Sequence, residues 1–171
     1  KPNKKEIYNL AEFLNKKSIL FLIDEAYIYV ERSKSDYLEL LNDYDNVIIS
    51  QTFSKAHGLA GCRFGYIISN PELMEYISRV RPMHEVGSFA AKAAMWMIEN
   101  PKLLNEFQLS ISKNKKYLLS KINDLKLIVR DTHANFLLIY IPNEGRTKNV
   151  VQKLKENKIL IRRPFAENFL K

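Results

Sequence analysis

At 171 residues, 46% hydrophobic and 27% charged, the sequence has the composition of a folded chain of one domain or a domain and a half, not of a disordered one. Its apolar runs fall short of the roughly 18 residues that a membrane span needs, residues 1–5 show no secretory signal, and the single Cys62 excludes an internal disulfide framework and a Cys-based zinc site; a reducing, cytoplasmic setting is expected. The net charge of +8 favours anionic partners, whether nucleic acid, acidic lipid or phosphorylated small molecules, but the basic residues are spread along the chain with no nucleic-acid-binding signature.

Ile7, Leu10, Ala11 and Leu14 recur at helical spacing and predict an amphipathic helix over 6–14. The apolar run 19–23 then predicts a strand buried on both faces, as in a parallel sheet, ending at the charged pair Asp24-Glu25. A short helix is expected over 37–41, a second buried strand over 46–50 and a third over 63–68. Asn70-Pro71-Glu72 reads as a helix start, continued to 80. Residues 86–98, rich in Ala and Met, predict a well-buried helix, and Asn100-Pro101 opens a long amphipathic helix to about residue 122.

The last third changes character. Residues 125–130 and 135–141 predict antiparallel strands, 142–145 a turn, 147–156 a helix and 159–161 a short buried strand. Strands alternating with helices, then an α+β segment, predict an α/β class: part of a large domain with a mostly parallel sheet over 1–100, and part of a smaller α+β domain over 101–171.

Three of the five glycines, Gly58, Gly61 and Gly65, fall within eight residues beside Thr52, Ser54, Lys55 and Arg63. Such a cluster points to a backbone that approaches an anion or to a tight loop between two strands. It is neither a Walker A loop nor a GxGxxG turn. His57 and Cys62 carry no assigned role, and His84 and His133 read as surface or loop residues, so no metal site is expected.

The stretch 52–66 resembles the lysine motif of class I/II aminotransferases of pyridoxal-phosphate fold type I, S/T-x-S-K-x-x-G-L-x-G-x-R-x-G-Y, in its histidinol-phosphate aminotransferase group. Phe21-Leu22-Ile23-Asp24-Glu25-Ala26-Tyr27 resembles the family's D-E-A-Y strand end, 31 positions before Lys55, and Ala134-Asn135-Phe136-Leu137-Leu138 resembles its N-F-L-L strand. The resemblance implies pyridoxal 5'-phosphate as cofactor. Lys55 would then hold its aldehyde and shuttle a proton, Asp24 would pair with the ring nitrogen, and Tyr27 would donate to the phenolic oxygen. Thr52, Ser54 and Arg63 would grip the phosphate. The alternative reading of Asp24 is a cap on the next helix.

The resemblance also implies a substrate-binding arginine at Arg162 or Arg163, of which alternation lets only one face the cleft, with Arg162 preferred, and substrate binding by Asn135. Leu170 followed by Lys171 departs from the group's L-R-[IV]-x-[IV]-G segment. Family members are longer and carry upstream a glycine-containing helix start, a stacking aromatic and an N-P-x-N-P-T-G loop, so the chain is expected to be a portion of such an enzyme. The expected function is transfer of an amino group between an amino acid or amino-alcohol phosphate and a 2-oxo acid. A decarboxylase of a phosphorylated amino acid and a basic nucleic-acid-binding module are the competing readings. The resemblance implies a homodimer with each site at the subunit interface, and Ala90, Ala91, Ala94, Met95 and Met97 are apolar beyond what one helix face needs. No nucleic-acid or membrane partner is expected.

Overall fold

The computed structural model describes residues 3–83, 86–162 and 169–170. The chain divides into two compact units, 1–108 and 109–171, parting inside the long helix opened by Asn100-Pro101; the sequence reading placed the boundary near that opening.

In the first unit α1 (Lys4–Asn15) starts on a capping box. The Asn3 side chain accepts from the Lys5 N–H, and Glu6 returns to the Asn3 N–H. Three strands follow, β1 (Phe21–Asp24), β2 (Val47–Thr52) and β3 (Gly65–Ser69), with the short α2 (Leu40–Asp43) ahead of β2. β1 runs parallel to β2 with Phe21 opposite Val47 and Asp24 opposite Ser50. β3 returns antiparallel, Ile48 opposite Ser69 and Thr52 opposite Gly65. One face of β2 in this mixed sheet is buried: Val47 and Ile49 are fully covered and pack with Ala11, Tyr37 and Leu40.

β1 is covered on one face only. Phe21 and Ile23 pack on this core, whereas Leu22 on the opposite face is 59% exposed. The expected burial on both faces is therefore not met within this chain. The strand also starts two residues late, because the Asn46 side chain donates to Ile19 O and the ladder begins with Phe21 N–H on Asn46 O.

α3 (Pro71–Ser78) begins on Asn70, whose side chain accepts from the Leu73 N–H. α4 (Ser88–Glu99) departs from expectation: Ala90 and Ala94 are buried, but Phe89, Met95, Trp96 and Ile98 are exposed. Small residues supply its one covered stripe and the large ones face away.

α5 (Pro101–Asp124) leads into the second unit, where β4 (Ile128–Asp131) and β5 (Leu137–Tyr140) pair antiparallel, followed by α6 (Glu144–Glu156) and the two-residue β6 (Phe169–Leu170) on the other side of β5. Ile122, Ala134, Leu137, Ile141 and Leu170 are its buried apolar residues among those described. Residues 159–161 are not a strand and are not buried: Leu160 is 82% exposed. Lys158 turns to positive φ and the Ile159 N–H bonds back to Leu154 O, so this segment closes α6 instead of joining a ladder.

Candidate active site

The candidate residues of the first unit gather at the carboxyl ends of β1 and β2 and in the loop that joins β2 to β3. Asp24 is the last residue of β1 and lies exposed beside Ser50. Its Oδ1 accepts from the Ala26 N–H at 2.9 Å and from Ser50 Oγ at 3.4 Å. No helix follows at once, so its hydrogen bond is a local turn and not a helix cap. Tyr27 lies on the turn beyond it, and Lys55 Nζ sits 5.3 Å from the centre of the Tyr27 ring. Asp24, Tyr27 and Lys55 thus come from two adjacent strand ends.

The loop is organised by its own backbone. Thr52 Oγ1 donates to Phe64 O at 3.1 Å and accepts from the Ser54 N–H at 3.1 Å, tying the end of β2 to the approach of β3. The Phe53 N–H bonds Phe64 O and the Leu59 N–H bonds Phe53 O. Gly58 turns the chain at φ 70, where a side chain would be strained. Gly65 serves close approach: a Cβ there would lie 2.9 Å from Gln51 O, a backbone atom that cannot yield without parting the strands. Arg63 adopts left-handed backbone at φ 53, remains exposed and donates to Ala60 O at 3.3 Å. It shares an open cleft of about 680 Å³ with Ser50, Tyr66, Ser78 and Arg81.

Behind this array lies a polar network that the sequence reading missed. Glu25 is 6% exposed and Gln51 is 5% exposed. Glu25 accepts from Ser35 Oγ at 2.7 Å and from Gln51 Nε2 at 2.8 Å. Gln51 Oε1 accepts in turn from Tyr29 OH at 3.0 Å and from Tyr66 OH. Burial first, then the hydrogen bond with Tyr29, pushes the Tyr66 phenol well above its ordinary value, so it stays a donor. The sequence offered one signal: Glu25 is the second of two charges at the end of an apolar run, where only the first was given a role.

His57, left without a role, packs against Phe53 with ring centres 4.5 Å apart and edge-on to Tyr29 at 5.1 Å. Its Nδ1 is buried without a hydrogen-bond partner, and burial lowers its pKa from the ordinary 6.5.

In the second unit Asn135 is exposed on the turn before β5, and Arg162 is exposed after the cap of α6. Arg163 lies outside the described residues. The turn that carries Asn135 is held by Lys115 of α5, whose side chain is 11% exposed. Lys115 Nζ donates to Thr132 O, to Ala134 O at 3.1 Å and to Asp131 Oδ1 at 2.7 Å. Among the described residues no group of His, Cys, Asp and Glu is arranged to hold a metal ion, and no helix is long and apolar enough to cross a membrane.

Residues 1–170 match the family Aminotransferase class I and II. The chain belongs to that family. Over 154 residues it is 34% identical to histidinol-phosphate aminotransferase 1 of Trichormus variabilis, an alignment covering 90% of this chain and 43% of the relative. Histidinol-phosphate aminotransferase from Sinorhizobium meliloti, solved in complex with pyridoxal-5'-phosphate, superposes with a TM-score of 0.87 at 25% identity, over 98% of this chain and 47% of that one. L-threonine-O-3-phosphate decarboxylase from Porphyromonas gingivalis superposes with a TM-score of 0.80 at 21% identity, over 99% of this chain and 53% of that one, and shares the fold. The chain therefore spans about half the length of the proteins it matches, and its α/β architecture is that of this aminotransferase fold.

Proposed function

We propose that this chain supplies the lysine-bearing part of a pyridoxal 5'-phosphate-dependent aminotransferase that moves an amino group between a histidinol-phosphate-like amino-alcohol phosphate, or an amino acid, and a 2-oxo acid. The observation that carries the reading is the meeting of Lys55 Nζ with Tyr27, beside the strand end that presents Asp24.

The donor set fits the cofactor group by group. Asp24 keeps lone pairs free beyond the two hydrogen bonds it accepts, and an exposed carboxylate there suits a protonated ring nitrogen. The Tyr27 hydroxyl suits the phenolic oxygen. The Thr52 and Ser54 hydroxyls with the Arg63 guanidinium suit a phosphate, since arginine grips it through two parallel N–H bonds. When bound, the cofactor supplies an aldehyde with which amines condense and a ring that draws electron density from the substrate's Cα.

The chain's own residues then divide the work. Lys55 is half-buried on a loop fixed at both ends, so its amine is held over Tyr27, where it would move a proton at the substrate's Cα. Asp24 would keep the ring nitrogen protonated. A substrate role for Arg162 or Arg163 and for Asn135 rests on the resemblance alone, since residues 159–161 do not form the strand that would deliver the arginine. The exposed apolar face of α4 supports a homodimer, and the single Cys62 fits a cytoplasmic setting.

Borohydride reduction of the intact cofactor-loaded protein, followed by peptide mapping, is expected to place the pyridoxyl label on Lys55. Label on another lysine overturns the assignment. Incubation with substrate and 2-oxoglutarate is expected to give a carbonyl product with glutamate; an amine with carbon dioxide would make the protein a decarboxylase.

A further inference from the structure

Glu25 is the one buried charged residue among the described ones, and both partners of its carboxylate, Ser35 and Gln51, are neutral. A buried carboxyl group without a cation is a poor device for stability alone, because an apolar side chain of similar volume avoids its desolvation cost. What the carboxylate does is join segments. Ser35 donates to Glu25 and accepts from the Tyr37 N–H at 2.9 Å, which anchors the loop after Tyr29. Gln51 collects Tyr29 and Tyr66. The Glu25 N–H bonds Ser50 O at 2.9 Å.

Residues 25 and 51 each adjoin a candidate site residue, 24 and 52. The peptide that leaves Glu25 carries the Ala26 N–H, which points at Asp24 Oδ1, while Ser50 offers its hydroxyl to the same oxygen and its carbonyl to Glu25. Glu25 is thus clamped through both side chain and backbone, and the groups that aim Asp24 are attached to that clamp.

We infer that Glu25 is a positioning residue: without touching cofactor or substrate, it orients the Asp24 carboxylate toward the cofactor's ring nitrogen through the Ala26 N–H and Ser50. This rests on the function proposed above. An isosteric amide at position 25 would set its NH₂ against that of Gln51, to be relieved by flipping Gln51 and turning the hydroxyls of Tyr29 and Tyr66.

The test uses the intact protein in its apo form, titrated with pyridoxal 5'-phosphate and followed by absorbance, with urea unfolding measured beside it. Glu25→Gln is expected to weaken cofactor binding about tenfold and Ser35→Ala about threefold, as buried hydrogen bonds are lost. Both should shift the pH at which the bound cofactor's visible absorption changes. In an Asp24→Asn background, Glu25→Gln should add less than about twofold, since it acts through the residue already altered.

Wild-type cofactor affinity in both variants, even with a lowered urea midpoint, would reduce Glu25 to a structural role and overturn the inference. So would effects that multiply in full in the Asp24→Asn background. Ser35→Ala keeps the test decisive should Glu25→Gln fail to fold. Wild-type protein that takes up no cofactor, or attaches it elsewhere than Lys55, would overturn the functional reading itself and this inference with it.

Discussion

In the first unit a buried acid, Glu25, receives hydrogen bonds from two neutral side chains; in the second a nearly buried cation, Lys115, donates to two backbone carbonyls and one carboxylate. Each clamps a turn that presents a candidate site residue, Asp24 in one case and Asn135 in the other. The difference lies in what is held. Glu25 fixes side chains from several segments and reaches the turn through its own peptide. Lys115 fixes the turn's backbone directly, and its countercharge Asp131 is half-exposed. The acid therefore sets orientation and the cation sets the shape of a loop, so removing them should show in different measurements.

The largest expected effect is on the cation's side. Lys115→Met leaves two carbonyls without their donor, and a loss of about 3 kcal/mol in urea-unfolding free energy is expected. Asp131→Asn should cost about 0.5 kcal/mol or less, because that carboxylate is screened by solvent. Equal losses in the two variants would mean that Lys115 serves the ion pair and not the turn, and the contrast with Glu25 would fail.

On the acid's side the next effect comes from the backbone that confines Gln51. Gly65→Ala places a methyl against Gln51 O, and about 2 kcal/mol of destabilisation is expected from the same measurement. A neutral outcome would show that β2 and β3 can part slightly, and that the network around Glu25 is less rigidly framed than its distances imply.

The smallest effect is a pH dependence. The folded-state pKa of His57 lies below its ordinary 6.5 because burial disfavours the imidazolium. The unfolded chain therefore binds more protons in this range. The stabilising contribution is complete above the unfolded value and is lost as pH falls through 6.5 toward the folded value. His57→Leu should flatten unfolding free energy against pH in that window; an unchanged slope would assign the titration to other groups.

These contrasts show what the sequence could and could not reveal. Runs such as Val47-Ile48-Ile49 announce strands because the apolar residues lie together, and β2 was legible for that reason. Lys55, Gly58 and Arg63 were legible as a motif because their chemistry is confined to one loop. Glu25 and Lys115 were not, since their partners lie 10, 26, 17 and 19 positions away and no local pattern joins them. The run 159–161 misled because three apolar residues suit a helix-closing segment as well as a strand. α4 misled because alanine-rich composition says nothing of which face is covered.

The antiparallel return of β3 bears on how the chain closes. The 53–64 connection closes a hairpin, whereas β1 reaches β2 only through the longer 25–46 crossover. On chain-closure entropy alone the shorter loop is favoured by about 0.5 kcal/mol, roughly a factor of two in closure probability. The loop that carries Lys55 and Arg63 therefore costs less to close than the crossover that brings Asp24 beside Ser50, although the margin is too small to separate the two events in time.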